Sequence, residues 1–200
     1  QAWKTMVTGR PGPVVLDVPF DIFTEATGSA TPDPQAWNAN ISCRSGADPD
    51  GVVKAMDMLL AAERPVILVG QGVKYGGAAA DLVRFAERMN IPVAHSGSGI
   101  GAINGDHPLA LGLVARNGHY QANHAARQAD VLLALGVRFD DRTSSSWLPG
   151  YSFTIPPTRL IHVDIDPDEI ARNYPVALGL MADCRTFLRQ MLAELDTRAA

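Results

Sequence analysis

The 200-residue sequence predicts an α/β fold: a doubly wound, Rossmann-like parallel sheet of five or six strands with helices on both faces. Two observations predict it. The short runs "RPVILVG", "IPVAHS", "DVLLAL", "RLIHVDI" and "ALGLMA" are apolar throughout rather than alternating, the mark of strands covered on both faces. Stretches with helical spacing separate most of them, and regular strand–helix alternation means parallel strands joined by crossovers. Composition agrees, since 46% apolar residues supply a core and 19% charged residues argue against disorder.

Taken in order, "QAWKTMVTGRPGPVVLDVPFDI" reads as a helix tail, a turn and a strand, "PVVLDVP". It lacks an initiator Met, so the expectation is a piece of a longer protein, with residues 1–22 the tail of a preceding domain. Residues 23–48, rich in Pro, Ala, Ser and Asn, read as a linker, and residues 49–200 as the alternating domain. Asp48 is placed to cap a helix with Pro49 at its first position, and Val53, Met56, Leu59 and Leu60 form its apolar face. After the strand "RPVILVG", the stretch "GGAAADLVRFAERMN" reads as a helix with Leu82, Phe85, Ala86 and Met89 inward. The strand "IPVAHS" leads into a long glycine-rich loop, "SGIGAINGDHPLALGLVARNG". A helix from about His119 to Gln128, the strands "DVLLAL" and "RLIHVDI", and a short helix from Pro167 follow. A strand near "ALGLMA" and a helix from Cys184 to Leu195 complete the chain, which contains no internal repeat.

Charge and residue usage exclude several functions. A net charge of −4 with no basic stripe argues against nucleic acid. No apolar run approaches the ~20 residues a membrane helix needs. Cys43 and Cys184 lie far apart without metal or redox spacing, which points to a reduced, cytoplasmic setting. His95, His107, His119, His124 and His162 show no metal-ligand spacing, and there is no GxSxG. The chemistry expected is therefore binding, with no catalytic residue and no metal ligand in this chain.

In doubly wound sheets ligands sit beyond the carboxyl ends of the strands. Gly70 and Gly72, after the first of these strands, would let phosphates approach the backbone; the alternative is a tight strand-to-helix turn. A GxGxxG fingerprint would need glycine where Tyr75 stands and an acid where "HSGS" stands, which disfavours an NAD site. Ser96 and the glycines after it offer a hydroxyl and amides to phosphate or ribose. The stretch "GVRFDDRTSSS" is the most chemical: Arg138 and Arg142 carry forks suited to phosphate or carboxylate, and Asp140 and Asp141 would orient them or accept from sugar hydroxyls. The alternative is an Arg/Asp network that only closes the loop. Asp164 stands at a strand end, placed to accept from a sugar or base edge, whereas Asp166 and Asp183 read as helix caps.

The segments "GRPGPVVLDVP", "RPVILVGQGV", "IPVAHSGSGIGAINGDHP", "ADVLLALGVRFDDR", "LIHVDIDPDEI" and "ADC" occur in an order that resembles acetolactate (acetohydroxyacid) synthase large subunits, and more widely the central domain of thiamine-diphosphate-dependent enzymes. The resemblance covers nearly the whole chain after Gly9. It implies a homo-oligomeric, cytoplasmic parent enzyme that decarboxylates a 2-oxo acid and transfers a two-carbon unit. Thiamine diphosphate and Mg²⁺ would be held by flanking domains: "NGDHP" lacks the second glycine of the family's metal motif, so the fragment alone should be inactive. By position, a structural FAD or ADP would meet Gly70, Gln71, Gly72, Ser96 and Gly97, then Gly136, Val137, Arg138, Asp140 and Arg142, and finally Asp164, Ile165, Asp183 and Cys184. One departure stands out: where the family has "GMHG" beside the flavin, this chain has "ARNG", with Arg116 and Asn117. Sulfoacetaldehyde acetyltransferase-like or glyoxylate carboligase-like relatives with an empty or vestigial site, a free-standing nucleotide-binding module and a structural spacer are the other readings.

Overall fold

The computed structural model describes residues 1–26, 28, 33–37 and 44–199, and divides into two units, residues 1–43 and residues 44–200. In the first unit, helices α1 (Ala2–Val7) and α2 (Phe20–Thr24) bury no residue, and a 3-10 turn spans Pro34–Trp37. The strand expected over "PVVLDVP" is not formed; residues 11–19 are neither helix nor strand. A strand needs a partner ladder and a covered face, yet Val15 is 89% and Leu16 73% exposed. Of the stretch read as a linker, residues 27, 29–32 and 38–43, Cys43 included, lie outside the described residues.

The second unit is the α/β domain. Helix α3 (Pro49–Leu60) starts where Asp48 Oδ1 accepts from the amides of Asp50 and Gly51 at 2.9 and 3.2 Å. Its buried stripe is Gly51, Val52, Ala55, Met56 and Leu59, so Val53 and Leu60, expected inward, are exposed. Then come β1 (Pro65–Val69), the one-turn helix α4 (Gln71–Tyr75), α5 (Ala79–Met89) and β2 (Val93–His95). The loop expected next contains a short strand, β3 (Ala110–Leu113), which pairs with β2. Helix α6 (Tyr120–Gln128), β4 (Val131–Leu135), β5 (Arg159–Asp164), β6 (Leu178–Met181) and α7 (Cys184–Ala199) follow. The element expected from Pro167 is a 3-10 turn, Pro167–Glu169.

All six strands are parallel, in the order β3-β2-β1-β4-β5-β6. Alternate residues of each central strand enter opposite cores. Ile67, Val69, Leu133, Leu135, Ile161 and Val163 pack with the buried sides of α3, α5 and α7. Val66, Leu68, Leu132, Ala134 and Leu160 pack on the other face with Ala122 and Ala126 of α6, and with Val137, Phe139 and Phe153. The strand order reverses between β1 and β4, the switch point beyond whose carboxyl ends doubly wound sheets bind their ligands.

Candidate functional site

The expected site residues gather along the carboxyl edge of the sheet. Gly70 and Gly72 follow β1, Ser96 and Gly97 follow β2, Gly136 begins the loop after β4, and Asp164 ends β5. Asp183 and Cys184 stand where β6 gives way to α7. Three of the glycines have a packing reason. A Cβ on Gly70 would lie 2.0 Å from Gly136 O, and one on Gly72 2.8 Å from Gly136 Cα and 3.3 Å from Cys184 Sγ. The Gly72 amide donates to Gly136 O at 3.3 Å. The β1 and β4 loops therefore touch backbone to backbone, and what comes close at Gly70 and Gly72 in this structure is polypeptide. Gly97 is different: it is exposed, with nothing within 4 Å of an added Cβ.

The loop after β4 is held in an unusual backbone. Phe139, Ser145, Ser146 and Trp147 have φ of 51°, 51°, 56° and 54°, a conformation that costs about 1–3 kcal/mol per non-glycine residue unless the surroundings impose it. They do. The Phe139 ring lies edge-on to Phe153, His162 and Tyr174, with centroids 5.4, 5.3 and 5.3 Å away. Asn173 Nδ2 donates to Arg138 O and Phe139 O at 3.3 and 3.2 Å, and Trp147 Nε1 to Phe139 O at 3.0 Å. Buried His162 donates from Nε2 to Val137 O at 2.8 Å.

This scaffold sorts the four charges. Asp140 Oδ1 caps the turn by accepting from the Thr143 amide at 2.9 Å, and its ion pair with Arg138 is long, 3.9 Å. Asp141 turns to Arg116, whose Nη2 lies 3.5 Å from Asp141 Oδ1, and accepts from Ser146 Oγ at 2.7 Å. Arg116 also donates to Ser146 Oγ. Arg142 is exposed, and among the described residues its guanidinium makes no hydrogen bond or ion pair. The loop is thus only partly a closed network.

At the β5 and β6 ends, Asp164 is buried and accepts from the Asp166 amide at 2.9 Å. Asp166 Oδ1 accepts from the Asp168 amide at 3.1 Å, the cap expected of it. Asp183 caps α7, accepting from the amide and hydroxyl of Thr186 at 3.0 and 3.1 Å, with Arg44 Nη1 3.6 Å away. Burial pushes the Cys184 thiol well above its ordinary range, and the carboxylates of Asp164 and Asp183 push it further. It stays a thiol, a small packing group rather than a nucleophile. Ile165 is half-buried and Gln71 exposed at the start of α4. Sequence reasoning missed Asn173 and the parts played by Arg116 and His162. All three act on residues 25 or more positions away, where local spacing carries no information.

Residues 52–191 match the family model for the central domain of thiamine pyrophosphate enzymes. The chain is 38% identical over 196 residues to the probable acetolactate synthase large subunit of Methanocaldococcus jannaschii, covering 97% of this chain and 32% of that protein. It is 36% identical over 205 residues to the acetolactate synthase isozyme 3 large subunit of Escherichia coli, covering 100% of this chain and 34% of that one. The crystal structure of benzoylformate decarboxylase from Polynucleobacter necessarius shares the fold, with a TM-score of 0.74 at 23% identity, covering 96% of this chain and 34% of that one. The chain spans about a third of the length of the relatives it matches.

Proposed function

Because this chain belongs to the thiamine pyrophosphate enzymes, as their central domain, we propose that it is the nucleotide-binding middle of an acetolactate synthase-like enzyme. Residues 1–22 would be the tail of a preceding pyrimidine-binding domain, residues 23–48 a linker, and residues 49–200 the central domain. The parent would decarboxylate a 2-oxo acid and transfer a two-carbon unit, as a cytoplasmic homo-oligomer. Thiamine diphosphate supplies that chemistry when bound. The residues here do not fit it with its Mg²⁺, because no group of three or more His, Cys, Asp or Glu side chains among the described residues would hold a metal ion. That cofactor is assigned to the flanking domains.

FAD or ADP fits the edge described above. The observation that carries this is Arg142: its guanidinium has no partner among the described residues, and it lies next to a loosely paired Arg138 on a strained and well-supported loop beside the topological switch point. Two such forks suit a diphosphate. The buried Asp164 carboxylate would meet ribose hydroxyls, and at the neighbouring strand end Gly97 lies open beside the buried Ser96. The nucleotide would brace the domain rather than react. Calorimetry with FAD and with ADP tests this. Arg138→Ala or Arg142→Ala should weaken binding by about 1.5–3 kcal/mol, roughly tenfold to over a hundredfold in Kd, while the fold survives. A folded, unmodified chain that binds neither nucleotide would refute the proposal and leave a structural spacer.

A further inference from the structure

We propose that Arg116 is a positioning residue that keeps Arg142 available to a phosphate by taking Asp141 for itself; this rests on the nucleotide reading only for the identity of the anion. The loop from Arg138 to Arg142 holds two cations and two anions, and left alone it would neutralise itself. Neighbouring opposite charges do pair in this chain: Glu63 and Arg64 lie 3.3 Å apart. Asp141 and Arg142 do not pair, because a fifth charge intervenes. Arg116, from the turn after β3, reaches Asp141 Oδ1 at 3.5 Å and shares Ser146 Oγ with it. The Arg116 backbone is itself fixed, with its amide donating to Arg142 O at 3.3 Å and its carbonyl accepting from the Tyr151 hydroxyl at 3.0 Å. Asp140 is occupied by the Thr143 amide and faces Arg138. Counting Arg116, the cluster carries three cations against two anions, and the guanidinium left unpaired among the described residues is that of Arg142.

The test uses inorganic pyrophosphate, FAD and ADP as probes in calorimetry of the unmodified chain, Arg116→Met and the double variant Arg116→Met with Asp141→Asn. In Arg116→Met the freed carboxylate turns on Arg142, and pyrophosphate affinity should fall about tenfold, the scale of one charged hydrogen bond. In the double variant no carboxylate remains at 141, and affinity should return to within about threefold of the unmodified chain. A merely structural role for Arg116 would leave the double variant as weak as the single one, and that result overturns the proposal. Equal binding by the unmodified chain and Arg116→Met overturns it too, while leaving the nucleotide reading intact. Pyrophosphate binding with the expected loss and rescue, but no binding of FAD or ADP, sustains the role of Arg116 and removes the nucleotide. Absence of pyrophosphate binding to the folded, unmodified chain refutes the proposal outright.

Discussion

His162 ties a central strand to the charged loop, and its protonation state belongs to the fold. It is 2% exposed on β5, donates from Nε2 to Val137 O, and meets the edge or face of Phe139 at 89°. Burial holds its pKa below the ordinary 6.5, although the Val137 bond and the Glu169 carboxylate act the other way. A lowered folded-state pKa means the native state prefers the neutral ring, so the contribution to stability is whole above about pH 6.5. It is lost as pH falls below that value and through the lower native pKa. The drop in melting temperature between pH 7.5 and pH 5.5 should therefore be smaller for His162→Gln, which keeps an N–H donor but cannot charge, than for the unmodified chain. Equal drops would remove His162 from the acid response. The five histidines show no ligand spacing in the sequence, which makes a local metal motif unexpected. The sequence did not make this partnership legible, because Val137 lies 25 residues away.

Between elements, the contacts that matter most are made by residues with little or no side chain. Strand and helix positions were legible because strands buried on both faces leave continuous apolar runs, which no amphipathic element imitates. On α3 Met56 and Leu59 are inward as expected, whereas Val53 and Leu60 are not, because the remaining inward positions include Gly51 and Ala55, which add little to an apolar pattern. Gly51 is inward for a reason, since a Cβ there would lie 2.5 Å from Leu180 Cδ2 of β6. Strand β3 escaped notice because it has four residues, one of them Gly112 at φ +89° against the His119 ring. The same logic separates the site glycines. Gly70→Ala would set a methyl 2.0 Å from the Gly136 carbonyl oxygen, backbone that cannot swing aside. It should cost about 1–3 kcal/mol or more, as overpacking does. Gly97→Ala meets open space and should stay within about 0.5 kcal/mol. Urea midpoints decide it, and comparable losses at both positions would mean that the β1–β4 loop contact is not what Gly70 protects.

At the scale of the whole chain, the two units differ in what they bury. The six-stranded unit fills both sides of its sheet, with Leu132, Leu133 and Ala134 fully enclosed. In the first unit, Val14, Val15, Leu16, Val18, Phe20, Ile22 and Phe23 all face outward, although their composition is that of a buried strand and helix. The segment is apolar enough to suggest a strand, but a strand is a property of two segments, and no described segment pairs with residues 11–19. Its amides should therefore behave as those of a solvated chain. Hydrogen exchange on the monomer should find residues 14–18 exchanging at nearly unprotected rates while β1, β4 and β5 open only with global unfolding. In the longer parent proposed above, where this segment would close the preceding domain, the same amides should become slow while those of β4 change little. Residues 14–18 as protected as β4 in the 200-residue monomer would contradict this, and would mean that the segment finds its ladder within the chain itself.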